Sequence, residues 1–168
     1  MRLILSLVVV ALTLFSPKGL FAQTDKSTRP SPPAQAQGMI QDAQVTIDYS
    51  SPSVKGRKVW GELVPYGKVW RTGANEATVF QSTADIMIQG QKLPAGKYAL
   101  FSIPGEQEWI WIFNSVWDQW GAFKYDESKD VLRVKATPQA SPVFNEKMRI
   151  DILEGKVTLS WENLQVSF

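Results

Sequence analysis

The chain has 168 residues, with 18 basic and 16 acidic side chains, no His and no Cys. Those absences exclude Ser-His-Asp and Cys-His nucleophile schemes, the usual zinc ligands and any disulfide. Residues 1–22 hold two bases and no acid, so the remainder is balanced at 16 against 16, with no charge that calls for a nucleic-acid or anionic-membrane partner.

Met1-Arg2 gives a positive start to Leu3–Phe15, an apolar run broken only by Ser6 and Thr13. The run is shorter than the roughly 20 residues a bilayer-spanning helix takes. With Leu20-Phe21-Ala22 ahead of Gln23, residues 1–22 read as a secretory signal peptide, an uncleaved anchor being the alternative. The expected location is the periplasm or the extracellular space, with no membrane span after cleavage. Residues 23–37 include TDKSTRPSPPAQAQ, which lacks large apolar side chains and is expected to be a flexible tether. The folded domain is expected over residues 38–168, long enough to build a core without staples.

From there the hydrophobic period is two. Val45, Ile47 and Tyr49 alternate with polar residues and predict a half-buried strand. Val79-Phe80 and Ile86–Ile88 predict two more, and Gly90–Gly96 has the composition of a turn. Lys97–Ile103 alternates and leads through Pro104-Gly105 into Trp109–Phe113, apolar on both faces and so expected at the centre of a sheet. Val131–Ala136, Met148–Ile152, Val157–Trp161 and Leu164–Phe168 complete the set. No stretch of ten or more residues carries a helical stripe. Eight or nine short strands separated by Gly/Pro turns predict an all-β, antiparallel β-sandwich with two long irregular loops; a β-barrel is the alternative.

The first loop, Ser50–Thr78, is 29 residues without a sustained period, yet rich in apolar side chains such as Val54, Trp60, Leu63, Val69 and Trp70. Loops of this length inside a domain are usually functional or disordered, and this one is too apolar for disorder. The second, Asn114–Asp130, reads NSVWDQWGAFKYDESKD. The blocks PSVKGRKVWGELVPYGKVW and KVWRTGANEAT, with LPAGKYALFSIPG, NSVWDQWGAF and YDESKDVLRV, resemble the bacterial domain of unknown function 2911. The resemblance spans about Val45 to Phe168, with Pro138–Glu146 departing from the pattern. It implies an exported all-β domain and carries no activity, substrate or catalytic set.

The loops differ in charge. Residues 55–71 hold five bases against Glu62, and residues 106–130 hold six acids against two lysines. Either the two loops pair, or Arg71 with Lys55 or Arg57 grips a small anion, since the guanidinium fork suits carboxylate and phosphate. Glu76 is a weak candidate for a catalytic acid, with Glu62, Asp118 or Asp126 as the second carboxylate of a hydrolase. Asp126, Glu127 and Asp130 lack the spacing of a calcium loop, so no metal or cofactor is implied. Trp109, Trp111 and Trp161 have core patterning, whereas Trp60, Trp70, Trp117 and Trp120 fall in the loops. Those four either pin the loops or line a pocket for a glycan or small anion, with Lys55, Arg57, Tyr66, Arg71, Asn75 and Glu76 beside them. A structural or interaction domain of the cell envelope, without ligand or catalysis, is the remaining alternative.

The last strand ends at the final residue, Phe168. Deleting Leu164–Phe168 is therefore expected to abolish soluble expression; a cooperative melt from the truncated protein would overturn that strand.

Overall fold

The computed structural model describes residues 25–168; the signal-peptide reading lies outside them. Among the described residues, ten strands run β1 (Pro33–Ile40), β2 (Ala43–Ser50), β3 (Val79–Ser82), β4 (Ile86–Ile88), β5 (Gln91–Leu93), β6 (Gly96–Ile103), β7 (Trp109–Asn114), β8 (Asp130–Ala136), β9 (Gln139–Leu153) and β10 (Lys156–Ser167). Six of them form an antiparallel sheet in the order β1-β2-β3-β6-β7-β8. Strands β9 and β10 form a separate long hairpin, and β4 and β5 a short one. The sheets stay open, as in a sandwich, and no helix is long and apolar enough to cross a membrane among the described residues.

Period-two patterning decides which faces meet. Val45 and Ile47 of β2, Phe80 of β3 and Trp109, Trp111 and Phe113 of β7 turn to one side. There they meet Met148, Ile150 and Ile152 of β9 and Val157, Leu159 and Trp161 of β10. Strand β10 carries register shifts around Glu162, whose φ is 56°, and bends there. Its end thereby returns to its start, where Phe168 and Val157 exchange backbone hydrogen bonds of 3.0 Å. The Phe168 ring packs 5.0 Å from Trp111 and 5.4 Å from Phe113.

Strand β7 is flanked by β6 and β8 and apolar on both faces, because both are covered. Behind the sheet, Phe101 and Ile112 form a smaller cluster with Ala77 and Ala99, closed over by Val69, Ala122 and Tyr125 from the two long loops. The first loop also enters the main core, to which it contributes Val54, Val59, Trp60, Val64 and Trp70. It folds by joining existing edges: Val54 N–H donates to Glu146 O (2.8 Å), and Trp70 pairs with Ser102 of β6 through 2.7 and 2.9 Å bonds.

Two expectations need correction. The segment expected to be a tether is structured: Lys26–Thr28 forms a 3-10 turn, and from Pro33 strand β1 pairs with β2 along its whole length. Only Ala36 and Ile40 of β1 are buried, so the strand is mostly polar and lacks the usual hydrophobic signal. Its Gly38 marks the packing contact instead, since a Cβ there would stand 2.7 Å from Ile152. The Gly90–Gly96 stretch also contains strand β5, which pairs with β4 around Gln89 and Gly90, both at positive φ.

Trp60 is only 7% exposed and touches three other indoles. Trp60→Ala should cost about 3–5 kcal/mol, the usual range for truncating a buried aromatic. Denaturant unfolding that shows a loss under about 1 kcal/mol would mean that the loop does not depend on this side chain.

Candidate functional site

The site is built on Trp70–Thr78. Trp70 is anchored to β6 by its backbone, and its indole N–H donates to Gly73 O at 3.0 Å. Thr72 is fully buried, with its hydroxyl 3.0 Å from Ser102 Oγ, and its carbonyl accepts from the Thr78 hydroxyl at 2.7 Å. Thr78 N–H then donates to Arg71 O (3.2 Å) and closes the turn. Thr72 and Asn75 both hold left-handed conformations, φ 54° and 57°, which non-glycine residues adopt at some cost in strain. Between them Gly73 has φ 157°, and a Cβ there would lie 3.0 Å from Ser50 O and 3.1 Å from Thr78 Oγ1. This tight packing fixes where Arg71, Asn75 and Glu76 can point.

The second loop is organised by Asn114, fully buried at the end of β7. Its amide donates to Asp126 O (2.9 Å) and Asp130 Oδ1 (2.7 Å), and its carbonyl accepts from Val116 N–H. Asp126 caps a short 3-10 turn at Glu127–Lys129. Asp130 binds Arg133 at 2.8 Å and accepts from the Tyr125 hydroxyl at 2.6 Å. Burial, reinforced by that bond to Asp130, pushes the Tyr125 phenol up to about 12, so it stays protonated.

The two loops meet through backbone: Glu76 and Trp120 form an antiparallel bridge, flanked by Ala77 N–H to Gln119 O (3.1 Å) and Gly121 N–H to Asn75 O (3.2 Å). Charge pairing between them, the other expectation, is absent among the described residues. Lys58 pairs with Glu62 inside its own loop, Arg133 with Glu127 and Asp130, and Lys135 with Glu108.

Glu76 instead faces the N-terminal segment. Arg29 Nη1 reaches both of its carboxylate oxygens, at 3.0 and 2.9 Å, and Lys26 Nζ lies 3.1 Å away. Partial burial pushes the carboxyl up, but bonds from its own backbone, Arg29 and Lys26 prevail and hold it at about 2. A carboxylate so firmly ionised is unsuited to proton donation near neutral pH. The structure thus argues against Glu76 as a catalytic acid.

Two clefts flank this segment. One, of about 220 Å³, lies between the loops and is lined by Glu76, Trp117, Asp118 and Gln119 together with Lys26 and Asp48. The other, of about 270 Å³, is lined by Arg57, Arg71 and Asn75 with Ser31, Trp70 and Trp161.

The family model described as protein of unknown function (DUF2911) matches residues 31–168. The chain belongs to this family. Neither a curated protein nor a solved structure matches it. The family match takes in the whole of β1, in agreement with its pairing to β2.

The DUF2911 domain distributes the expected site residues unevenly. Trp60 and Trp70 are core residues, in edge-to-face contact at 5.9 Å, and pin their loop. Tyr66 packs its ring against Gly61, Lys55 uses its backbone N–H on Glu146, and neither lines either of these two clefts. Glu76 and Trp117 fall in the first cleft; Arg57, Arg71 and Asn75 in the second. Trp120 is 57% exposed, with the Arg29 guanidinium 6.0 Å from its ring centre. Sequence reading missed Lys26, Arg29 and Ser31, because a polar Pro/Ser-rich stretch shows no periodicity. It also missed Asp48, which sits on the solvent face of β2 as an ordinary polar alternation would place it.

The Glu76 pairing has a pH signature. Its folded pKa of about 2 is below the usual 4.5, so its contribution is full above about pH 4.5 and fades as pH falls toward 2. The stability difference between wild type and Glu76→Gln should therefore shrink across that interval in denaturant melts. A gap that is constant from about pH 6 to 2 would show that Arg29 and Lys26 do not depend on the charge of Glu76.

Proposed function

We propose that the protein is an exported, non-catalytic β-sandwich module that binds a saccharide in the cleft between its two long loops. One observation carries this reading: Trp117, 41% exposed, stands at a cleft that also presents Asp48, Asp118 and Gln119. An open aromatic face suits the apolar face of a pyranose, and carboxylates with an amide suit its hydroxyls. Lys97 Nζ lies 5.0 Å from the Trp117 ring centre and steadies that platform. The cleft walls are backbone-paired to each other, so little ordering is needed on binding. Export rests on the Leu3–Phe15 run and the small residue Ala22 ahead of Gln23.

Against a panel of neutral and acidic glycans, the mature protein should bind at least one saccharide class saturably. Trp117→Ala should weaken that binding about fivefold or more, in line with a stacking contact of about 1–3 kcal/mol, and leave the melting temperature nearly unchanged. Absence of saturable binding across the panel, or equal affinity in Trp117→Ala, would overturn the reading.

A further inference from the structure

The second cleft is chemically the opposite of the first. Two guanidiniums, Arg57 and Arg71, line it, and no carboxylate does. Arg71 is half-buried, its Nε–H is fully enclosed without a hydrogen-bond partner, and no acid lies within 4 Å of it among the described residues. Burial alone pushes its guanidinium below its usual value, with nothing drawing it back. A cation withdrawn from water without a counter-ion is costly, and proteins ordinarily supply one.

The rest of the cleft holds this charge in place. Arg57 is fixed by bonds from Nε to Val54 O (3.0 Å) and from Nη2 to Ser53 O (2.6 Å), which direct its charge without neutralising it. Asn75 commits its amide N–H to Ser31 O at 3.0 Å. The left-handed turn at Thr72 and Asn75, with its close approach at Gly73, sets the backbone that carries Arg71. Trp70 and Trp161, stacked at 6.0 Å and 17°, give the cleft an apolar side. Its volume of about 270 Å³ suits a small ligand.

We infer that this cleft is a separate binding site for a small organic oxyanion, a carboxylate or phosphate gripped by Arg71 and Arg57 with a short apolar body against the tryptophans. The planar fork of arginine matches both headgroups, and the partly desolvated setting strengthens the contact. The site shares neither Glu76 nor Trp117 with the saccharide cleft, so the two readings stand or fall independently.

The test titrates the mature protein with inorganic phosphate, benzoate and the neutral control benzamide at low ionic strength, following the arginine Nε–H resonances by NMR. Benzoate, phosphate or both should shift the Arg71 resonance saturably, and benzamide should not. The stronger of the two names the headgroup. Arg71→Lys keeps the charge without the fork and should bind that probe about tenfold more weakly. Arg57→Gln should weaken it less and keeps Arg71 observable if Arg71→Lys folds poorly. Trp117→Ala should bind it as wild type does. No saturable shift with either anion, an equal shift with benzamide, or unchanged affinity in both arginine variants would overturn the site.

Discussion

Trp60, on the first long loop, touches Trp70 of the same loop, Trp109 of β7 and Trp161 of β10 at ring distances between 5.2 and 5.9 Å. These contacts tie together the three parts of the molecule: the six-stranded sheet, the long hairpin and the loop that joins β2 to β3. The indole N–H groups of Trp60, Trp109 and Trp161 find no hydrogen-bond partner among the described residues. Apolar burial and edge-to-face packing, rather than polar satisfaction, therefore hold the cluster together. A 29-residue connection gains order because two of its tryptophans become core residues.

With Trp70 fixed, its neighbours inherit a fixed geometry. The turn through Thr72, Gly73 and Asn75 sends Arg71 into one cleft and Glu76 into another, so these two opposite charges are kept apart. Each has a different fate. Glu76 is answered by Arg29 and Lys26 from the N-terminal segment, whereas Arg71 has no acid near it among the described residues. The outcome is two adjoining clefts of contrasting chemistry on one rigid turn. The N-terminal segment takes part in both, through Lys26 in the first and Ser31 in the second.

Much of this was legible in the chain itself. Strict alternation at Val45–Tyr49 marks a strand because side chains of a strand alternate between faces, and Lys97–Ile103, apolar and buried from Tyr98 to Phe101, lies in one covered on both faces; both appear where expected. Trp109–Phe113, apolar at every position, is covered on both faces. Strand β1 was not legible, since its alternation is between Ala or Gly and Gln and carries little hydrophobic contrast. Of the candidate ligand residues, Trp60 belongs to the core, Trp70 to both the core and the second cleft, and Lys55 and Tyr66 to loop packing, whereas Arg57, Arg71, Asn75, Glu76 and Trp117 line clefts.

The sequence by itself determined the all-β class, most strand positions and the family, because these depend on local periodicity, turn chemistry and long matching blocks. Only the tertiary structure decided which charges pair. Five bases against one acid in residues 55–71 and six acids against two bases in residues 106–130 give opposite net charges of equal size on paper, but ion pairs form over about 4 Å, and backbone turns set by buried threonines and a close-packed glycine determine what lies within that reach. Arg71 and Glu76 stand five residues apart in the chain and line different clefts for that reason.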